Sequence, residues 1–208
     1  MTTKPGLRER KKERTRQALV AAAIELFGSK GYEETTIAEL AEAADISTRT
    51  FFSYFASKEE VLFAGTPLKL ERSASVLAEP LPGERPAALL LRSFRFVLDQ
   101  DTDLTGDLAK LRTRLILRTP ALQPFALRKV LEGQQELTRG LIAAYRGELD
   151  PVVAAAMTGA LVGALVSTIA TLLGRSEADG GAPADPERLR AEMEHAVRTA
   201  LGEFGTLA

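Results

Sequence analysis

Residues Thr36–Lys58 read T-I-A-E-L-A-E-A-A-D-I-S-T-R-T-F-F-S-Y-F-A-S-K. Thr36 and Glu39 have the spacing of a capping box, T-x-x-E, in front of apolar residues at helical intervals. Ser47 is again an N-cap candidate only three residues after Ala44, so the chain must turn sharply there. Two helices joined by a short turn are typical of a helix-turn-helix, whose second helix enters the DNA major groove.

The second helix carries side chains suited to reading DNA. Phe51 and Phe55 are four residues apart, so they share one face and are expected to close over the preceding helix. The opposite face presents Thr48, Arg49 and Thr50 in its first turn. Hydroxyl groups bond phosphates or base edges, and an arginine bonds guanine through two atoms. The spacing alone leaves a second interpretation open, the solvated first turn of a short surface helix.

The order of these motifs resembles the DNA-binding domain of the TetR family of bacterial repressors. The resemblance runs from about Arg10 to Leu62 and rests on four segments: A-A-I-E-L-F-G-S-K-G-Y, T-T-I-A-E-L-A-E-A-A, S-T-R-T-F-F-S-Y-F and S-K-E-E-V-L. It implies a DNA-binding protein in which Tyr54 and Lys58 match phosphate-contacting positions. The residues that we expect to contact DNA are Thr36, Ser47, Thr48, Arg49, Thr50, Phe52, Tyr54 and Lys58.

Two residues depart from the family pattern. Asp45 stands in the turn where the family usually has glycine. We expect a positive φ at this position, which aspartate tolerates better than most residues. Phe52 stands where the family commonly has a tyrosine that meets the DNA backbone, and it has no hydroxyl to donate to a phosphate. Anchoring to the DNA backbone is therefore expected to be weakened.

Length and composition predict an all-α protein. The chain has 208 residues, of which 45 % are hydrophobic; aromatic residues are few and tryptophan is absent. Alanine and leucine dominate the patterns, and no alternating run of β-branched residues indicates a sheet. We expect an N-terminal three-helix helix-turn-helix DNA-binding domain over residues 1–56. A larger helical ligand-binding and dimerisation domain is expected over residues 57–208.

Helical periodicity and breakers predict the remaining elements. Ser57 and Glu60 have the spacing of a second capping box, and Pro67 should interrupt the helix that begins there. A first helix is predicted over about 11–29, ended by Gly28 or Gly31. Later helices are predicted over about 87–99, 104–118, 120–146, 152–173 and 187–204, with a flexible loop over 175–186.

Positive charge is concentrated at the start of the chain. The net charge is −1 and the pI about 6.0, so no global field attracts DNA. The basic residues of the first segment are Lys4, Arg8, Arg10, Lys11, Lys12, Arg14 and Arg16. A basic arm beside a helix-turn-helix can neutralise phosphates and release counterions. A disordered solubilising tail is an equal alternative for Lys4 and Arg8.

The sequence contains no motif that indicates an enzyme. Cysteine is absent, which excludes disulfides, cysteine zinc sites and thiol nucleophiles. His195 is the only histidine, and its one Glu-x-x-His motif with Glu192 supplies too few metal ligands. No nucleophile elbow, P-loop or dinucleotide-binding glycine pattern is present. We expect no enzyme, metal or cofactor, and the lack of a secretory signal predicts a cytoplasmic protein.

The segment from Pro151 to Gly174 contains no charged residue and is within reach of a membrane span. Hydroxyl residues dilute it, small residues fill it and no aromatic belt flanks it, so we expect no membrane. We expect instead a helix buried on most sides that lets a second helix approach closely. Residues expected at a homodimer interface are Gly159, Val162, Gly163, Val166, Met193 and Val197. The alternative is the central core helix of a monomer.

The C-terminal part resembles TetR-family ligand-binding domains in helix count and order. Its stretch L-R-T-R-L-I-L-R-T-P-A-L is similar to one subgroup of the family, some members of which answer to acyl-CoA-like molecules. The effector is expected to be such a molecule or another apolar compound. Side chains expected to line its pocket, with plain core as the alternative, are Phe94, Leu98, Leu111, Leu115, Phe125, Tyr145 and Met157.

Together these features predict a ligand-responsive repressor. It is expected to bind double-stranded, near-palindromic operator DNA as a homodimer and to be released by a small apolar effector. Two alternatives remain open at this point. One is an enzyme or small-molecule-binding protein that keeps a degenerate helix-turn-helix, and the other is a transcriptional activator on the same fold.

Overall fold

Helices joined by short turns, without any strand, make up residues 6–64, 66–100, 107–178 and 186–202, which the computed structural model describes. The all-α prediction is confirmed. The helices are α1 (Leu7–Ser29), α2 (Ile37–Ala43), α3 (Thr48–Phe51), α4 (Lys58–Leu62), α5 (Thr66–Leu77), α6 (Pro86–Gln100), α7 (Asp107–Arg118), α8 (Gln123–Ala144), α9 (Pro151–Ala178) and α10 (Pro186–Gly202), with a 3-10 turn at Pro120–Leu122.

The chain divides into two units. The first comprises Met1–Ala64 and Asp107–Leu115, and the second comprises Gly65–Gly106 and Ile116–Ala208. Helix α7 therefore begins in the first unit and ends in the second. The division into domains at residues 56 and 57 stays a prediction. Lys4, the helix start at Leu104, most of the loop over 175–186 and the helix end at Phe204 lie outside the described residues.

Apolar side chains at helical spacing build the core of the first unit. Phe51 of α3 and the nearby Phe55 are buried together with Leu40 and Ala41 of α2, as the four-residue spacing predicts. Helix α1 contributes a buried stripe that includes Leu19, Ala22, Ala23 and Phe27. Burying one such large side chain contributes about 1.5–3 kcal/mol, so this cluster holds α3 against the rest of the unit.

Local hydrogen bonds set the two ends of the turn between α2 and α3. The Thr36 hydroxyl accepts the backbone N–H of Glu39 at 3.2 Å, and the Glu39 carboxylate accepts that of Thr36 at 2.9 Å. The first predicted capping box is therefore confirmed. Asp45 has a φ of 53°, as predicted, and Ser47 accepts the backbone N–H of Thr50 at 3.1 Å.

The second capping box is wrong. The Ser57 side chain accepts no backbone N–H at the start of α4, and the Glu60 carboxylate instead accepts the backbone N–H of Ala56 at 3.0 Å. The interruption by proline is confirmed, because α4 ends at Leu62 and the next helix begins at Thr66. Pro67 is then the second residue of α5, where its missing N–H removes no helical hydrogen bond.

The core of the second unit lies among α5, α6, α8, α9 and α10. Helix α9 packs on α8 and α10, and the hydroxyls of Thr138 and Thr158 lie 2.6 Å apart between α8 and α9. Buried apolar residues of this core include Leu77, Leu89, Leu90, Phe94, Leu98, Leu141, Met157, Leu161, Met193 and Val197. The unit therefore closes around one face of α9.

The prediction that α9 is buried on most sides is wrong. Pro151–Leu172 is long and apolar enough to cross a membrane by length and composition, but only 22 % of its most apolar part is buried. Val152 is 76 % exposed and Val166 is 48 % exposed. The single chain covers one side of α9 and leaves another apolar side in contact with solvent.

Candidate nucleic-acid interface

Helix α3 presents its first turn to the outside of the first unit. Thr48 and Arg49 are exposed, and within the residues that the structure describes the Arg49 side chain makes no hydrogen bond or ion pair. Thr50 is half-buried, and its hydroxyl lies 2.8 Å from the Ser47 hydroxyl. Because Phe51 is fully buried next to them, the short helix holds Thr48 and Arg49 at the surface. Arginine and threonine there have the chemistry for contacts with base edges.

Phe52 extends the same surface by one turn. Its backbone N–H donates to the Thr48 carbonyl oxygen at 3.3 Å, so the two residues lie above one another on α3. The ring is 56 % exposed and meets the buried Phe51 ring edge-on, with centroids 5.6 Å apart. An exposed apolar ring beside Thr48 can contact deoxyribose or a thymine methyl group.

Tyr54 faces the basic segment that precedes it in the chain. A surface cleft of about 690 Å³ is lined by Gly6, Arg8, Glu9, Lys11, Lys12, Ser53 and Tyr54. Lys11 and Lys12 are exposed, which suits them to phosphate contacts at low desolvation cost. Ser53 was not among the predicted residues, and its adjacency to Tyr54 was the only indication in the sequence.

The Thr36 hydroxyl is already engaged in hydrogen bonds within its own capping box. Its hydroxyl donates to the Glu39 carboxylate at 2.9 Å while accepting the backbone N–H of the same residue. Hydrogen bonds from Lys30 and then from Thr36 lower the pKa of Glu39 to about 2. The carboxylate therefore stays ionised and keeps the only hydroxyl proton of Thr36, so the predicted phosphate contact is not supported.

Lys58 is engaged inside the first unit. Its ammonium donates to the carbonyl oxygens of Tyr32 at 2.8 Å and Thr35 at 2.9 Å, with that of Glu33 at 3.4 Å. An ammonium has three N–H donors, and these three oxygens can occupy all of them. The loop after α1 thus uses these donors in the chain alone, and the phosphate contact of Lys58 stays a prediction.

The residues predicted to bind the effector belong to different parts of the fold. Phe94, Leu98 and Met157 are buried together in the core of the second unit, and Tyr145 packs against them. Leu111 and Leu115 belong to the first unit. Phe125 is half-buried beneath the charged groups of Arg128 and Lys129, which lie 4.9 and 5.6 Å from its ring centre.

Tyr145 already has a structural partner. Its hydroxyl donates to the carbonyl oxygen of Glu84 at 2.7 Å, and burial raises its pKa. The Glu84 carboxylate accepts two hydrogen bonds from Arg92, at 2.8 and 2.7 Å, which lower the pKa of Glu84. This cluster fixes the turn before α6, so Tyr145 serves the packing of that turn.

Of the residues predicted at the dimer interface, some are exposed and others are buried. Gly163 and Val166 are exposed on α9, Gly159 is half-buried, and Val162 is half-buried against the core of its own unit. Met193 and Val197 are both 0 % exposed. Their assignment to an interface is wrong, because the apolar face of α10 is used for packing within the chain.

Comparisons with known proteins place the chain in a family. The family model for bacterial regulatory proteins of the tetR family matches residues 19–64. The HTH-type transcriptional regulator TcmR of Streptomyces glaucescens is 44 % identical over 154 residues, which cover 70 % of this chain and 67 % of that protein. The chain belongs to the TetR family. It is a DNA-binding transcriptional regulator with a helix-turn-helix, as the resemblance implied.

Two solved structures of regulators share the fold along most of the chain. FadR of Thermus thermophilus, a transcriptional repressor in complex with lauroyl-CoA, is 26 % identical and covers 89 % of this chain and 93 % of its own, with a TM-score of 0.55. FadR of Bacillus halodurans is 19 % identical and covers 96 % and 97 %, with a TM-score of 0.56. The second likeness concerns the fold alone.

Proposed function

We propose that this TetR-family regulator is a repressor that binds a near-palindromic operator as a homodimer and leaves it when a small apolar effector binds. The observation that carries the proposal is the pairing of an outward-facing Arg49 with the cation-lined cleft at Tyr54. Base readout by Arg49 and Thr48 supplies sequence preference, and Lys11, Lys12 and Tyr54 supply phosphate contacts.

A homodimer would give the short recognition helix enough DNA to read. Helix α3 spans only four residues, so one copy reaches few base pairs. A two-fold dimer would present two such helices to successive major grooves about 34–36 Å apart.

The exposed side of α9 is the surface proposed for pairing. Val152, Ala156, Gly159, Gly163 and Val166 follow one another at intervals of three or four residues, so they share a face. A Cβ atom at Gly163 would meet open space, which leaves room for close approach of a second copy. Apolar surface of this kind is characteristic of permanent interfaces between subunits.

Helix α10 would contribute its exposed face to the same interface. With Met193 and Val197 in the core, its exposed face consists of residues at the complementary positions, including Ala191, His195 and Thr199. We therefore propose that these three replace Met193 and Val197 as the α10 part of the dimer contact.

The effector is proposed to enter the second unit near Phe94, Leu98 and Met157. These side chains are buried together in one core cluster, so the effector would have to open space among them. The likeness to a repressor that binds lauroyl-CoA supports an acyl-CoA-like effector, and another apolar compound remains the alternative.

Helix α7 is the proposed route from that unit to the DNA-binding unit. Arg112, in the part of α7 that belongs to the first unit, donates to the Leu62 carbonyl oxygen at 3.3 Å and lies 5.7 Å from the centre of the Phe63 ring. A shift of α7 would thus pull on the end of α4. The effector must bind the released state more tightly than the operator-bound state, because equal affinity would shift no population.

A footprint on the DNA upstream of the protein's own gene tests the proposal. We expect protection of two half-sites whose centres are separated by about 10–10.5 base pairs or a multiple of that distance. A reporter placed behind that site should be expressed more strongly when the regulator is deleted. Absence of sequence-specific protection would contradict operator binding, and weaker expression on deletion would indicate an activator.

A further inference from the structure

The Lys58 ammonium lies over the Tyr32 ring at the first turn of α4. Its nitrogen is 4.3 Å from the ring centre and donates to the carbonyl oxygen of the same tyrosine at 2.8 Å. A cation over an aromatic face is attracted by the ring, more strongly where water is partly excluded. Tyr32 is only 6 % exposed, so its ring is a fixed surface against which the lysine side chain is held at two points.

The three hydrogen bonds of this ammonium differ in length and in exposure. Those to Tyr32 and Thr35, at 2.8 and 2.9 Å, are part-buried, whereas the one to the Glu33 carbonyl oxygen is exposed and 3.4 Å long. A hydrogen bond of that length is weak, since N–H···O bonds are ordinarily about 2.7–3.2 Å long. A phosphate oxygen can therefore replace the Glu33 carbonyl as acceptor while the two inner bonds are kept. The charge of Lys58 is thus held in place and stays open to a phosphate on that side.

Tyr32 is itself held by the residue that follows Lys58. Its hydroxyl donates to the Glu59 carboxylate. Burial and then this carboxylate raise the pKa of Tyr32, so the phenol stays protonated as a donor. Burial alone would raise the pKa of Glu59, but hydrogen bonds from Ser57 and Tyr32 outweigh it and leave that pKa below its ordinary value. Two consecutive residues of α4 therefore bind one tyrosine.

The surroundings of the tyrosine are ordered before any DNA is bound. The Phe27 ring of α1 meets the Tyr32 ring edge-on with centroids 5.2 Å apart. The Thr35 side chain is 1 % exposed, and its hydroxyl donates to the Gly31 carbonyl oxygen at 2.7 Å. Ordering a free lysine side chain on binding costs conformational entropy, whereas a lysine that is already held does not lose it again. Tyr32 thus removes part of the cost of a phosphate contact by Lys58.

We propose that Tyr32 is a positioning residue for DNA binding, which holds the Lys58 ammonium ready for a phosphate of the DNA backbone while Glu59 fixes the tyrosine. The proposal rests on operator binding by this protein and on the predicted phosphate contact of Lys58. A wild-type chain that binds no operator would contradict the proposed function. A wild-type chain that binds operator, with affinity and salt dependence unchanged in Lys58→Met, would contradict the present proposal alone.

The test is a double-mutant cycle in the full chain, titrated on operator and on random DNA at several salt concentrations. Lys58→Met should weaken binding to both DNAs and reduce the slope of log K against log salt by about one. Tyr32→Leu should weaken binding to both DNAs about fivefold, which is what loss of a cation–ring contact is expected to cost. Because the tyrosine acts through the lysine, Tyr32→Leu should have no further effect where Lys58 is already methionine.

Lys12→Met is the matched control for this cycle. Lys12 is exposed and lines the cleft at Tyr54, so its phosphate contact does not depend on Tyr32. In the Lys12→Met background, Tyr32→Leu should weaken binding by the same factor as in the wild type. Equal effects of Tyr32→Leu in the wild-type, Lys12→Met and Lys58→Met backgrounds would overturn the proposal. A lower melting temperature with unchanged DNA affinity would also overturn it, because the role of the tyrosine would then be one of stability only.

Tyr32→Phe provides a second variant in case Tyr32→Leu does not fold. It keeps the ring and the carbonyl group beside the ammonium and removes only the hydrogen bond to Glu59. We expect a smaller loss, about twofold on both DNAs, which likewise disappears in the Lys58→Met background. A loss that persists in that background, or no loss in the wild-type background, would contradict the positioning role.

Discussion

The hydroxyl of Ser47 lies 2.8 Å from the hydroxyl of Thr50 and accepts its backbone N–H at 3.1 Å. Helix α3 is only four residues long, so this one cap satisfies a large share of its free N–H groups. It also directs the Thr50 hydroxyl toward Ser47. The first turn of the recognition helix is thus fixed by a contact between two residues that were both expected to face DNA.

Ser47→Ala should therefore destabilise the first unit. Loss of an N-cap serine costs about 1 kcal/mol, and the short helix has few other hydrogen bonds to compensate. Urea denaturation followed by circular dichroism would measure the change. Ser29→Ala is the control, because that hydroxyl donates to the Glu25 carbonyl within the long helix α1, and we expect less than about 0.5 kcal/mol there. An equal effect of the two substitutions would contradict the cap.

Lys30 should control the ionisation of Glu39. The Lys30 ammonium lies 2.5 Å from the Glu39 carboxylate, and the pKa of Glu39 is lowered from 4.5 to about 2. A pKa that is lower in the folded state contributes stability above the unfolded value, and this is lost as the pH falls from about 4.5 toward 2. Lys30→Met should raise the pKa of Glu39 in an NMR titration, and an unchanged pKa would exclude the pairing.

Gly163→Leu should disrupt the dimer and leave the fold of each copy intact. A Cβ atom at Gly163 meets open space in the single chain, so we expect a larger side chain there to clash with a partner and not with its own chain. At Gly159, a Cβ atom would lie 3.2 Å from the Gln134 amide nitrogen of the same chain, so Gly159→Leu should also strain the monomer. Sedimentation velocity at micromolar concentration, with thermal unfolding as the control, distinguishes the two. A wild-type monomer, or a fully dimeric Gly163→Leu variant, would refute this interface.

Arg112→Met should uncouple effector binding from DNA release. Without the guanidinium, α7 no longer holds the Leu62 carbonyl, while the DNA-contacting residues are unchanged. A thermal-shift screen of fatty acids, acyl-CoAs, antibiotics and polyketide-like compounds, beginning with lauroyl-CoA, identifies a compound that releases wild-type protein in gel shifts. The variant should bind operator and compound but stay on DNA when both are present. Release equal to wild type would exclude Arg112 from the route.

Local sequence predicted what neighbouring residues determine. The Thr36 and Glu39 box and the positive φ of Asp45 depend on residues a few positions apart, so a pattern reveals them. The hydrogen bonds of Lys58 could not be predicted, because its partners lie in a loop more than twenty residues away and spacing along the chain does not show them.

The faces of the long helices were predicted less well. Met193 and Val197 are apolar at helical spacing, which fits a partner helix in another copy as well as one in the same chain. In the structure both residues lie in the core of their own unit, where α10 packs on α9 and α6. The unit to which Leu111 belongs could not be predicted for a different reason. Helix α7 passes from one unit to the other, and its apolar pattern does not show at which residue.

The most direct test of base readout by this regulator is the affinity of Arg49→Ala for operator and for random DNA at the same salt concentration. Its exposed side chain has no partner among the described residues, so the substitution removes no fold contact seen there. We predict a loss of about 1–3 kcal/mol on the operator, with relaxed preference at one base-pair position of each half-site and little change on random DNA. Equal losses on both DNAs would contradict the account.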